Sequence, residues 1–281
     1  MIHRSFEGSG LVPGESADIA GRVKWTFETS DRIVSTPAVK GGRLYLTTQD
    51  NRVVALDAAT GNLIWEHATV TAVDSSPAVA GDMVFFGVRD RRVIALDART
   101  GELQWEFVTD NNPTSGSPLV KDGVVYIGSG DGRIYALDAL TGVERWSHLT
   151  RDWVTNTPAL SEDLLVVSSL DGRVTIYDTD TGKRRFSFRG IGRAVVGSPI
   201  IVGDSIYVPY QNGIVLSMNL REEEVLFASR LYRIKIQLYI WNMIGHPGLP
   251  KGVEWSTTLG DTLWATPAAD EDTIYISTHD G

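Results

Sequence analysis

The chain has 281 residues, 42% hydrophobic and 22% charged, with a formal net charge of -9. That acidic balance argues against a general nucleic-acid or anionic-membrane binder, either of which would present clustered Lys and Arg. The absence of cysteine excludes disulfides, thiolate metal sites and cysteine nucleophiles.

The first segment, residues 1–21, begins "MIHRSFEGSGLVPG". It lacks the apolar run of about 7–15 residues that a secretory signal needs and reads as an N-terminal extension. "VKWTF" then forms a short strand-like segment within residues 22–29.

From residue 33 the chain repeats itself. Ser/Thr-Pro dipeptides place prolines at Pro37, Pro77, Pro118, Pro158 and Pro199, in steps of 40, 41, 40 and 41 residues. A second ladder keeps the same phase: Asp57, Asp97, Asp138, Asp178 and Asn219, each followed eight residues later by Trp65, Trp105, Trp146, Phe186 and Phe227. A period of this length marks a solenoid, a propeller or an array.

Within one unit, "IVSTPAV", "RLYLTT", "RVVALDA" and "LIWEHA" are strand-length and rich in β-branched and aromatic residues. The turns between second and third segments, such as "GDG" and "QNG", suit hairpins. In the "DAxTG" turns between third and fourth, the Asp is expected to cap backbone amides. Gly61, Gly101, Gly142 and Gly182 are expected to be left-handed. Four antiparallel strands per forty residues make one propeller blade. Strands that are apolar on both faces fit a blade between two neighbours, with the ladder Trp wedged between blades. Residues 33–229 therefore read as five regular blades.

Residues 230–258 break the pattern. Ile234, Ile236, Leu238 and Ile240 alternate with polar or aromatic residues, a period of two that favours a strand in a shortened, degenerate blade. A helical insertion is the alternative. Residues 259–281 resume the pattern as a partial blade and stop at "IYISTHDG", on the turn after a second strand. The "VKWTF" strand is then expected to join the last blade, removing an open edge.

The phrases "ALDAATGNLIW", "ALDARTGELQW" and "ALDALTGVERW" resemble the tryptophan-docking motif of the pyrroloquinoline quinone (PQQ)-like repeat β-propellers, over about residues 22–281. The resemblance implies an all-β propeller of four-stranded antiparallel blades, part of a seven- or eight-bladed ring cut short at the C-terminus. It is specific for fold and weakly specific for function. Relatives range from the BamB-type lipoprotein of outer-membrane barrel assembly to quinoprotein dehydrogenases, and they imply a periplasmic or extracytoplasmic setting, with a cytoplasmic one left open. Quinoproteins of this kind are about twice as long, and many carry a vicinal cysteine pair that this chain cannot have. No residue-by-residue match to their catalytic Asp or calcium ligands is present, so neither PQQ nor calcium is expected.

His3, His67, His148, His246 and His279 show no ligand spacing, and no GxSxG, HExxH or P-loop occurs. The reading is a non-catalytic scaffold that binds a protein or small ligand through the loops of one face, with a PQQ-dependent dehydrogenase, or a fragment of one, as the alternative. The links between blades and the hairpin turns collect Arg91, Arg92, Asp110, Asn111, Arg151, Trp153, Arg193 and Trp264. Loop aromatics and arginines that break a repeat are the candidates for recognition. Trp153 and Trp264 break it; each either meets a partner or packs over the central channel.

Overall fold

A computed structural model describes residues 23–111, 116–190, 194–222, 228–241, 243, 248–260, 262–270 and 273–279. The chain divides into two units, Met1–Pro158 and Ala159–Gly281.

The first unit holds three four-stranded antiparallel sheets, one per repeat. They are β1 (Ala38–Lys40), β2 (Arg43–Thr47), β3 (Arg52–Asp57) and β4 (Leu63–Ala68), then β5 (Ala78–Ala80), β6 (Met83–Val88), β7 (Arg92–Asp97) and β8 (Leu103–Val108), then β9 (Leu119–Lys121), β10 (Val124–Gly128), β11 (Arg133–Asp138) and β12 (Glu144–Leu149). In each the strands pair in sequence order, which is the layout of a propeller blade. The four central residues of β3, β7 and β11 are all buried, as expected where both faces of a sheet are covered. One core cluster joins Val53 and Ala55 to Val84 and Phe86; another joins Phe85 and Val93 to Val125 and Ile127. The core therefore lies between successive blades.

The innermost strands are tied by the hydroxyls of the Ser/Thr-Pro dipeptides. The Thr36 amide donates to Ser76 Oγ at 2.8 Å, and the Ser76 amide to Ser117 Oγ at 2.9 Å. The repeated hydroxyl thus satisfies a backbone donor that a short strand leaves free.

The outermost strands carry the tryptophans. Trp65 pairs with Ala55, Trp105 with Ala95 and Trp146 with Ala136, each beside a bulge. Trp65 Nε1 donates to the Ala98 carbonyl of the next blade at 3.1 Å. Its ring covers Gly101, whose φ is 75° and where a Cβ would stand 2.7 Å from the indole. Only glycine meets both conditions. The turn is closed by Asp97 Oδ1, which accepts from the Arg99 and Thr100 amides at 2.8 and 2.9 Å. Residues 23–29 carry no strand, in contrast to the expected one, yet Trp25 docks in the same way, donating to the Ala58 carbonyl at 3.2 Å.

The second unit holds β13 (Ala159–Ser161), β14 (Leu164–Ser168), β15 (Arg173–Asp178) and β16 (Arg184–Arg189), then β17 (Ile200–Val202), β18 (Ser205–Pro209), β19 (Ile214–Asn219) and β20 (Val253–Thr258). A two-stranded sheet, β21 (Ala268–Ala269) and β22 (Ile274–Tyr275), follows. One further element, helix α1 (Ala228–Ile240), interrupts the last four-stranded sheet.

That helix corrects the sequence reading. Residues 230–258 hold the helical insertion, the alternative reading, and not a degenerate blade, and 33–229 are not five regular blades: the fifth blade takes its outer strand from 253–258. Trp255 pairs with Ser217 beside a bulge, as Trp105 pairs with Ala95, and packs on Tyr207 at 5.9 Å between ring centroids. The Asn219 amide donates to the Gly252 carbonyl at 2.9 Å, matching Asp57 to Asn62 at 2.8 Å. Residues 220–251 thus stand where residues 58–61 form a four-residue turn in the first blade. Phe227, the expected ladder residue, lies outside the described residues, and Trp255 holds the ladder position. The alternation over 233–240 would need a free sheet edge, but β20 occupies the edge of β19. A helix satisfies the same backbone groups internally.

Candidate partner-binding face

In the first unit the hairpin turns between second and third strands and the links between blades lie against one another. The Thr109 amide donates to the Arg91 carbonyl at 2.8 Å, and the Thr150 amide to the Gly132 carbonyl at 2.7 Å. Asp110 donates its amide to Asp131 Oδ2 at 3.2 Å, and the Asn111 carbonyl accepts from Ser129 Oγ at 3.0 Å. The Val154 amide donates to the Ser129 carbonyl at 3.1 Å. These bonds connect Arg91, Asp110, Asn111, Arg151 and Trp153 into one continuous loop edge.

The edge is rigid beneath and open above. Val154 is fully buried, and Gly128 lets it in: a Cβ there would stand 2.2 Å from the Val154 side chain. Next to this anchor Trp153 is half exposed, its amide donating to Asp152 Oδ1 at 2.8 Å. Asp131 is fully engaged, accepting from Tyr135 Oη at 2.6 Å and from the Arg133 amide at 2.8 Å. Burial, and then that carboxylate, push the Tyr135 phenol far up from its ordinary pKa.

Arg91 and Arg151 differ from the other arginines nearby. Both are exposed, and among the described residues neither guanidinium has a hydrogen-bond or ion-pair partner. Both sit at positive φ, 74° and 93°. Arg91 occupies the turn position that Gly132 fills in the third blade and Gly172 in the fourth. A left-handed non-glycine residue costs roughly 1–2 kcal/mol, and such strain tends to persist where a site requires it.

Arg92 belongs instead to the scaffold. Its guanidinium pairs with Asp90 and, at 2.9 Å, with Glu106 on the neighbouring strand. Arg52 does the same with Asp50 and Glu66 one repeat earlier. The Arg52 guanidinium holds the Asp50 carboxyl well below the usual range. Such pairs recur with the repeat, and the recurrence in the sequence was the available signal for them. Arg89, paired with Asp74 at 2.6 Å, is a further edge cation the sequence reading omitted.

In the second unit the same link geometry recurs. The Leu259 amide donates to the Gly213 carbonyl at 2.9 Å, and the Leu263 amide to the Gln211 carbonyl at 3.3 Å. Leu263 is fully buried, and Trp264 beside it is exposed. Arg193 lies outside the described residues.

Quinoprotein chemistry would require a cation site. Among the described residues no group of three or more Asp, Glu or His comes together that could hold a metal ion. On the edge itself Asp131 and Asp74 are engaged by Tyr135 and Arg89, and Asp90 by Arg92 through Oδ2; its buried Oδ1 stands alone among the described residues and belongs to no such group. These residues do not fit calcium.

The family described as "Outer membrane protein assembly factor BamB" matches residues 15–118 and 108–226. No curated protein sequence matches. Among solved structures, BamB from Moraxella catarrhalis is similar at 20% identity and a TM-score of 0.57, covering 93% of this chain and 84% of that one. The computationally designed protein Ika8 is similar at 16% identity and a TM-score of 0.69, covering 88% and 68%. A quinohemoprotein alcohol dehydrogenase from Pseudomonas putida HK5 is similar at 21% identity and a TM-score of 0.59, covering 71% of this chain but 42% of the enzyme. At these identities the structural likenesses establish the all-β propeller fold.

Proposed function

The chain belongs to the PQQ-like repeat family described as outer membrane protein assembly factor BamB, and from that premise we propose that it is a non-catalytic scaffold that holds a protein partner through the loop edge of its first unit. The observation carrying this reading is the pair of exposed arginines at left-handed backbone positions, Arg91 and Arg151, without a side-chain partner among the described residues, with the half-exposed Trp153 on a buried anchor. Arg and Trp are the side chains most often found to dominate binding energies, because each combines a large contact area with a directed donor. Rigid support below them lowers the ordering cost of association. An extracytoplasmic setting, and a role in assembling envelope proteins of the kind the family's name describes, are part of this proposal.

The test is a pull-down from envelope extract with the wild-type chain and with Arg151→Ala/Trp153→Ala. Loss of the captured partner, with an unchanged unfolding transition, supports the reading. Capture equal to wild type removes this edge. The likeness to an alcohol dehydrogenase favours a second reading, PQQ-dependent oxidation. Dye-linked turnover of alcohols or glucose that disappears on omitting PQQ would replace the scaffold reading.

A further inference from the structure

The insertion at residues 220–251 is the largest departure from the repeat, and its charge is opposite to that of the chain. Between residues 225 and 253 there is no Asp or Glu, while Arg230, Arg233, Lys235 and Lys251 fall within it; the whole chain is at -9. Lys251 is used at the base, 2.7 Å from Glu222. The other three cations lie on α1.

Much of what the helix exposes to water is apolar, beside exposed Lys235 and Gln237. Leu231, Ile234, Leu238 and Trp241 follow one another at spacings of three, four and three, so they form a single stripe. The Trp241 amide donates to the Gln237 carbonyl at 3.1 Å, which carries the helical path through the tryptophan. Leu231 is 55% exposed, Ile234 49% and Trp241 63%; Met243, just beyond, is 66% exposed. On the same helix Lys235 is exposed. Among the described residues no strand packs extensively against α1; the Tyr232 hydroxyl, donating to the Gly248 carbonyl at 3.0 Å, ties it back to its own loop. At 13 residues α1 is too short to cross a bilayer.

A short helix with an exposed aliphatic and Trp stripe, basic residues and no acidic ones has the composition of a segment that lies in a membrane interface. Long basic side chains can run along apolar surface and leave their charges at the headgroups. We propose that this insertion anchors the protein to a bilayer surface bearing anionic lipid, with the Leu231–Ile234–Leu238–Trp241 stripe at the acyl boundary. Lys183, Arg184, Arg185, Arg189 and Arg193 form a second basic run, but among the described residues only on α1 do cations coincide with an exposed apolar stripe, and that coincidence sets which part of an otherwise acidic chain meets the surface.

The experiment is vesicle flotation with the whole chain. Phosphatidylcholine vesicles containing about one third phosphatidylglycerol are compared with pure phosphatidylcholine. The expected result is flotation on the anionic vesicles, at least about tenfold above the neutral ones, and release at about 0.5 M NaCl, where screening is nearly complete beyond a few ångströms. Two variants are tested alongside: Ile234→Glu/Trp241→Glu, and a chain in which residues 220–251 are replaced by the four-residue turn of the first blade. Both should keep the wild-type unfolding transition while losing flotation; the first should also keep the wild-type circular dichroism, and the second should lose only the helical contribution of α1. Failure of the wild type to float, equal flotation on neutral vesicles, or undiminished flotation of the variants overturns the proposal. So does sedimentation showing a dimer that Ile234→Glu/Trp241→Glu converts to monomer, since a second copy would then cover the stripe.

Discussion

The indole Nε1 of Trp105 donates to the carbonyl of Ala139, 2.9 Å away and 34 residues later. The bond crosses from one blade to the next, and the ring closes over Gly142 of the same turn. Trp105→Ala removes a buried wedge and is expected to destabilise the chain by about 3–5 kcal/mol. Trp105→Phe keeps most of the contact and loses the donor, costing about 1 kcal/mol from the bond plus a smaller packing loss. Urea unfolding of the three proteins checks the order.

Gly142→Ala puts a Cβ 2.7 Å from the Trp105 ring at a backbone φ of 72°. The left-handed conformation alone costs roughly 1–2 kcal/mol, and the displaced indole adds to it. By contrast Gly203→Ala, at φ 58° with open space around it, should show the backbone cost alone. The difference between the two melting shifts isolates the docking contact.

At Arg91 the expected sign is reversed. Arg91→Gly removes the left-handed strain but adds unfolded-state entropy, so stability should be unchanged or rise by up to about 1 kcal/mol. If the edge binds its partner through this arginine, the variant is at least as stable as wild type and captures less. Thermal melting and pull-down on one preparation measure both.

Replacing residues 220–251 with a four-residue turn shortens a loop whose ends are already spaced for one. With Leu220, 2% exposed in the core, kept in place of Ala58 as the first residue of the turn, loop closure becomes easier by about 2 kcal/mol at most, offset by the lost Arg221–Asp204 and Arg221–Glu162 pairs, both at 2.8 Å and both exposed. The melting temperature is expected not to fall. A large drop would mean that the insertion supports the fifth blade.

Acid should weaken the turns. The Asp138 carboxyl is held down to about 2, chiefly by Arg145 at 2.7 Å, and that of Asp178 to about 2, chiefly by the Thr181 hydroxyl. Both values lie below the unfolded carboxylate value near 4. Their contribution is therefore complete above about pH 4 and is lost as pH falls through about 2. Water screens both groups, so each adds only about 0.2–1 kcal/mol. Denaturation midpoints between pH 6 and 2 should fall along this limb, and Asp138→Asn should flatten it.

The blade, its turn chemistry and its tryptophan wedge were legible because they are local and recur. Asp57, Asp97 and Asp138 act within three residues of themselves, and recurrence across units separates such signals from chance. The candidate edge was legible only in part. The sequence grouped Arg91, Arg92 and Arg151, but ion pairing separates them: Asp90 and Glu106 hold Arg92, while the other two have no partner among the described residues. Which arginine is engaged depends on which carboxylate the next strand brings opposite.

Trp255 marks the boundary between the two kinds of information. The repeat determined that each blade ends in an aromatic wedge, because a sheet covered on both faces must fill the gap to its neighbour. Counting residues named Phe227 for the fifth blade. Tertiary pairing put Trp255 at that ladder position, although it is 40% exposed where Trp65 and Trp105 are buried, since β20 rather than the alternating segment before it takes the hydrogen bonds of β19. A strand is decided by the edge available to it, and that edge is supplied from elsewhere in the chain.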